Sequence, residues 1–103
     1  MPLGFKKIKS FKILRESKND DTKLAYECRI GGATGSQSFI SFDYNCENMF
    51  SMGPMGYLYI TQVGNSIPIY RCIASTGDHF ISSNENCNGE GTNEALMGYG
   101  FDM

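Results

Sequence analysis

From residue 24 onward the chain alternates apolar and polar side chains. Leu24, Tyr26, Cys28 and Ile30 fall on one face of an extended segment, with Ala25, Glu27 and Arg29 on the other, the period-two pattern of a half-buried strand. Residues 67–73 are rich in β-branched side chains and carry Pro68 near their start, where a missing amide donor is tolerated. A loop of Gly, Ser and Thr follows each segment, then the short strands Ser38-Phe39-Ile40-Ser41 and His79-Phe80-Ile81-Ser82. A longer polar loop leads to strands at 57–63 and 98–103. At the amino terminus Phe5, Ile8 and Phe11 have helical spacing, but Phe11-Lys12-Ile13 and Leu14 suit a strand and no N-cap residue precedes the run, so a strand is expected. Leu3-Gly4-Phe5 echoes Met97-Gly98-Tyr99, which places the first residues beside the last ones, where they would hide an exposed sheet edge.

The elements recur. Tyr26, Cys28, Phe39-Ile40-Ser41, Asn45-Cys46 and Met55-Gly56-Tyr57 are matched by Tyr70, Cys72, Phe80-Ile81-Ser82, Asn86-Cys87 and Met97-Gly98-Tyr99. The offset moves from 44 to 41 and then to 42 residues as loops differ in length, the signature of a duplicated unit. We therefore expect one all-β domain over 1–103: an amino-terminal strand segment at 1–22 and two three-stranded units at 23–63 and 64–103, related by a pseudo-twofold axis. Residues common to both copies read as scaffold, and residues that one copy lacks mark where recognition or chemistry would sit.

The four cysteines occupy equivalent places in the two copies, and neither copy has the C-x-x-C spacing of a zinc ribbon. They read as disulfides, which implies an oxidising compartment and a secreted or extracellular protein. A duplicated unit favours Cys28 with Cys46 and Cys72 with Cys87, because each copy must be stable with its own pair. The alternative, Cys28 with Cys72 and Cys46 with Cys87, would staple the copies together.

Charge removes one class of partner. Residues 1–23 hold seven basic against three acidic side chains (+4), and residues 24–103 hold two against eight (−6). A nucleic-acid ligand fits poorly, since the acidic repeats would repel phosphate; a basic amino-terminal strand laid on an acidic body accounts for the asymmetry. No stretch approaches the roughly 18 apolar residues of a membrane span, and Met-Pro-Leu-Gly-Phe-Lys-Lys lacks the form of a signal peptide.

The second copy carries a recognisable motif: Tyr70-Arg71-Cys72, then Ser75-Thr76-Gly77-Asp78-His79-Phe80-Ile81-Ser82, then Asn86-Cys87-Asn88-Gly89, then Gly98-Tyr99. Residues 67–99 resemble a tandem repeat of unknown function from secreted bacterial and fungal proteins. That repeat often sits beside hydrolase domains and is marked by a Tyr-Arg strand, Gly-(Asp/Glu)-His-Phe and a closing Gly-Tyr or Gly-Trp. The first copy keeps only the skeleton, with Glu27 in place of Arg71, Ser38 in place of His79 and no glycine after Cys46. The resemblance implies a small all-β extracellular module and brings no activity with it.

Three groups of residues are candidates for function. Asp78-His79 contains the only histidine; without an activated nucleophile or a second histidine it reads as a ligand contact or as a structural histidine whose tautomer Asp78 holds. Residues 84–90 are a weak match to a calcium loop, since asparagine replaces the leading carboxylate and the closing position falls on Ala95; an Asn/Gly turn bonded to its own backbone fits better. Met49, Phe50 and Met52 make an apolar ridge suited to a partner or a homo-oligomer, unless the loop folds over the sheet to complete the core. Tyr44 and Tyr59 are not repeated and are free to stack on a ligand. No cofactor or metal is expected, and no paired general acid and base stands at a recognisable spacing. The leading expectation is a non-enzymatic recognition module, sugar-binding and lectin-like, that takes a glycan or cell-surface ligand through Arg71, Asp78, His79 and Asn88. A secreted protein-binding or inhibitory module is the alternative.

Overall fold

A computed structural model describes residues 5–8, 11–17, 21–32, 34–35 and 37–102. These residues form eight strands and no α-helix. The strands are β1 (Phe5–Ile8), β2 (Phe11–Leu14), β3 (Thr22–Ile30), β4 (Gln37–Ser41), β5 (Phe50–Tyr59), β6 (Ile67–Ile73), β7 (His79–Ser82) and β8 (Thr92–Asp102). All pair antiparallel in one sheet ordered β4-β3-β5-β2-β8-β6-β7, with β1 attached to β2. Among the described residues no helix is long and apolar enough to cross a membrane.

The strand order reads alike from either end. Tyr26 and Cys28 of β3 face Ser41 and Phe39 of β4, and Tyr70 and Cys72 of β6 face Ser82 and Phe80 of β7. The register of β3 against β5 slips after Ala25 and after Glu27, and that of β6 against β8 slips after Ile69 and after Arg71, the matching positions. Bulges of this kind sharpen the twist, which here bends each three-stranded unit. Both disulfides have the connectivity internal to one unit, Cys28–Cys46 with Cα atoms 5.5 Å apart and Cys72–Cys87 with Cα atoms 6.0 Å apart. Each ties a strand to a 3-10 turn, Cys46–Asn48 or Cys87–Gly89, and all four cysteines are fully buried.

The sequence reading needs two corrections. Residues 49–55 read as a loop before a strand at 57–63, yet Phe50–Tyr59 is one strand, and its counterpart is Thr92–Asp102 rather than 98–103. The bulges against β3 absorb Gly53 and Pro54, which lie opposite Glu27 and Tyr26. The strand beside the last one is β2, with Phe11 and Lys12 opposite Asp102 and Phe101, whereas β1 pairs with β2. The expected partnership of Leu3 and Gly4 lies outside the described residues.

Strand β2 lies where the two units meet. Leu14 pairs with Tyr57 of β5, the opposite end of β2 pairs with β8, and β5 meets β8 at Tyr59 and Tyr99. Phe11 and Ile13 thereby reach a core shared with Ala25, Ile40, Leu58, Ile69 and Met97. So close a crossing leaves no room for side chains at Gly56 and Gly98, the glycines of the repeated Met-Gly-Tyr. A Cβ on Gly56 would stand 2.7 Å from Ile13 Cδ1, and one on Gly98 would stand 2.6 Å from the Tyr59 carbonyl oxygen.

Closing loops of this size is worth on the order of 3 kcal/mol per bridge. Reduction is therefore expected to lower the melting temperature by more than about 10 °C, measured by circular dichroism with and without dithiothreitol; an unchanged melt would mean that the apolar core suffices alone. Gly98→Ala should cost about 2–3 kcal/mol in urea unfolding, because the added methyl meets backbone and the residue has a positive φ. Gly53→Ala, where a Cβ meets nothing within 4 Å, should cost visibly less.

Candidate functional site

Curling of the sheet brings its end strands β4 and β7 toward each other. The contacts across this seam are made by side chains. Arg71, on β6, is only 16% exposed and donates on every side. Its Nε donates to Glu94 Oε1 (3.0 Å), Nη1 to Glu47 Oε2 (2.7 Å) and to the Ile40 carbonyl (3.1 Å), and Nη2 to Glu47 Oε1 (3.3 Å). The guanidinium also lies 5.4 Å from the centre of the Phe39 ring. His79 Nε2 is 3.1 Å from the same Glu94 oxygen, its ring packs on Phe39 at 5.3 Å between centroids, and its buried Nδ1 has no hydrogen-bond partner.

Arg71 and His79 are thus brought together, with Glu94 between them. Asp78 and Asn88 are engaged elsewhere. The Asp78 carboxylate accepts from Thr76 Oγ1 (3.2 Å), so the carboxylate beside the histidine is that of Glu94 and not that of its sequence neighbour. Asn88 lies in the second 3-10 turn, where its amide donates to Asn86 Oδ1 (3.0 Å) and its side-chain oxygen accepts from Asn84 Nδ2. The loop compared with a calcium site is therefore a turn whose asparagines bond their own backbone. The same device operates in the first unit, where the Asp43 carboxylate accepts from the amides of Asn45 (3.1 Å) and Glu47 (2.9 Å). Sequence reading did not connect Glu47 and Glu94 with Arg71. The available signal was that Asn88 and Glu27 stand at the equivalents of Glu47 and Arg71, so the acid and the base both appear where the other unit has no such pair.

A second locus lies on the first unit. Tyr44 is 75% exposed and stands edge-on to Tyr26, with ring centroids 5.8 Å apart and planes at 83°. The two rings border a cleft of about 360 Å³ that is also lined by Asn45, Met49, Ser51 and the Gly53-Pro54 pair. Among the described residues no charged side chain lines it. Met49, which lines the cleft, and Phe50 and Met52 are exposed, whereas Met55 packs against the core; these three side chains therefore face outward instead of capping the sheet. In the second unit Glu85 stands where Tyr44 would be. Tyr59, the other unrepeated tyrosine, is half-buried and packs edge-on against Phe101 at 6.1 Å.

The ion pair across the seam sets an acid limit on stability. Hydrogen bonding from Arg71 holds the Glu47 carboxyl below its ordinary range, against the opposing effect of burial, with help from the Ser41 hydroxyl. Arg71 is correspondingly pushed up by Glu47. Because the folded-state value of Glu47 lies below the unfolded one, its contribution is complete above about pH 4.5 and is lost as the pH falls through the folded-state value. Glu47 is 44% exposed, so solvent screens the pair and the effect is smaller than that of a buried one. Urea midpoints measured from pH 3 to pH 7 should fall less steeply on the acid side for Glu47→Gln than for the parent chain; parallel curves would mean that the pair contributes nothing. Comparison of the chain with protein-family models, with curated proteins and with solved structures finds no match.

Proposed function

We propose that the protein is a non-enzymatic extracellular recognition module that binds a neutral saccharide at the Tyr26–Tyr44 cleft. The observation that carries this reading is the Tyr44 ring, 75% exposed and propped edge-on by Tyr26 in a cleft without charge. An exposed ring held by a neighbour offers a flat apolar surface to the C–H face of a pyranose, and Asn45 and Ser51 supply an amide and a hydroxyl for its hydroxyl groups. Among the described residues that line the cleft, none offers a charged ligand a counter-ion.

This reading moves the centre of recognition from the second unit to the first. Arg71 and His79 are taken up by Glu47, Glu94 and Phe39, which leaves the guanidinium little capacity for a ligand. The matched registers and bulges of the two units support an origin by internal duplication, with Tyr44 an addition to one copy. Two internal disulfides support an oxidising compartment and hence secretion. The resemblance of residues 67–99 to the repeat of secreted proteins points the same way.

The exposed Met49, Phe50 and Met52 favour a second reading, a protein-binding module in which this ridge enters a partner. A glycan array separates the two. Reproducible binding to one saccharide family is expected, with Tyr44→Ala weakening it at least tenfold, roughly 1.4 kcal/mol, and Glu85→Ala, at the matching place in the second unit, leaving it within about twofold. A blank array together with retention of a protein partner that Met52→Asp abolishes would replace the saccharide reading by the second one.

A further inference from the structure

The turn that forms one wall of the cleft has a backbone conformation that its residues disfavour, and the side chain gripping it comes from the other unit. Cys46, Glu47 and Asn48 have φ values of 52°, 55° and 70°. L residues other than glycine enter this left-handed region singly and at a cost, with asparagine the most tolerant, so the Cys-Glu-Asn run needs outside restraint. The matching turn of the second unit has φ values of 58° at Cys87, 58° at Asn88 and 74° at Gly89. Asparagine and glycine are the residues that adopt that geometry most readily, and this turn is the more relaxed of the two.

Three restraints hold the first turn. The Asp43 carboxylate accepts from the Asn45 and Glu47 amides, the Cys28–Cys46 bridge fixes its base, and both Glu47 carboxylate oxygens accept from the Arg71 guanidinium. The first two have counterparts in the second unit: the Asn86 side chain accepts from the Asn88 amide, and Cys87 is bridged to Cys72. The third is peculiar to the first turn. Asn88 bonds within its own turn, and Glu27, at the place of Arg71, lies 3.8 Å from Arg29 on its own strand. The gripped turn is also the one that carries Tyr44, Asn45 and Met49 to the cleft.

We propose that Arg71 is a positioning residue of the Tyr26–Tyr44 cleft: by holding the Glu47 carboxylate from the opposite unit it keeps the strained turn, and with it Tyr44 and Asn45, in binding geometry. The inference rests on the saccharide reading of that cleft. A wall fixed before binding loses less freedom when a ligand arrives, so the grip acts on affinity without touching the ligand. Only a planar fork can engage both oxygens of one carboxylate and a backbone carbonyl together; a lysine ammonium is a point charge on a flexible stem.

Amide hydrogen exchange tests the positioning role without any ligand. The amides of Cys46, Asn48 and Met49 donate inside the first turn, to Asp43, Asn45 and Cys46, and those of Cys87, Gly89 and Glu90 donate equivalently in the second. In Arg71→Lys the first three should exchange at least about tenfold faster while the second three stay within about twofold, a local opening rather than a global one. Equal acceleration in both turns, or none in either, would overturn the proposal. Should Arg71→Lys fail to fold, Glu47→Gln breaks the same grip from the other side and is judged by the same amides. On the glycan array Arg71→Lys should lose signal for the saccharides that the parent chain retains; unchanged signal despite a loosened turn would also overturn it. An array blank for the parent chain counts against the saccharide reading, and the exchange pattern then decides the positioning role by itself.

Discussion

A sheet that curls until its ends meet has two unpaired edges to reconcile, and here a single guanidinium does so. The carbonyl of Ile40 on β4 accepts from Arg71, whose remaining donors engage Glu47 from the first unit and Glu94 from the second. Removing a cation from water is costly, and the cost is offset only when nearly every N–H finds an acceptor. Arg71 meets that condition because β8 brings Glu94, β4 the Ile40 carbonyl and the Phe39 ring, and the first 3-10 turn Glu47. The dependence runs both ways. A change in how the units sit against each other would strand a half-buried charge, so the ion cluster defines their arrangement more sharply than apolar contact could. It also covers a strand edge that would otherwise offer its carbonyl to another chain.

The two units lean on β2 in the same spirit. Gly56 and Gly98 are bare so that β2 and the crossing of β5 with β8 can come within backbone distance; Ile13, just 1% exposed, fills the space beside Gly56, and the Tyr59 carbonyl and Leu58 fill that beside Gly98. This explains why the repeated Met-Gly-Tyr survives in both halves of the sequence: methionine and tyrosine could be exchanged for other apolar side chains, whereas the glycine has no substitute at that approach. The amino-terminal segment is therefore part of the core.

Much of this was legible in the chain. Alternation located β3, β-branched richness located β6, equivalent cysteines gave the bridge connectivity, and the recurrence of Tyr, Cys, Phe-Ile-Ser and Met-Gly-Tyr fell on positions that share register. The reading failed where local chemistry and tertiary context disagree. Gly53 and Pro54 are loop formers by propensity, yet they sit in β5, where bulges opposite β3 tolerate a missing donor and a positive φ. Comparing the halves singled out Arg71, Asp78, His79 and Asn88, and of these the structure brings Arg71 and His79 together around Glu94. Their partners, Glu47 and Glu94, lie 24 and 23 residues from Arg71 in opposite directions along the chain, and no local pattern links residues so far apart. The same comparison set Tyr44 against Glu85, but exposure is a tertiary property, and the strand that shapes the cleft had been read as a loop.

The asymmetry of the clasp follows from its chemistry. Two units built alike could in principle exchange two ion pairs, one on each side of the seam. Each would require an arginine on the inner strand of one unit and a carboxylate at the left-handed turn of the other. The described residues hold one such pair, and the opposite side has Glu27 where the arginine would stand and Asn88 where the carboxylate would stand. A carboxylate in a left-handed turn is tenable where a cation rewards it; without that cation the turn does better with asparagine followed by glycine, as residues 88 and 89 have it. Once one turn is gripped and the other is relaxed, the two ends of the molecule cease to be equivalent for any ligand. Tyr44 lies on the end whose backbone is already held, by Asp43 within the turn and by Arg71 from across the seam.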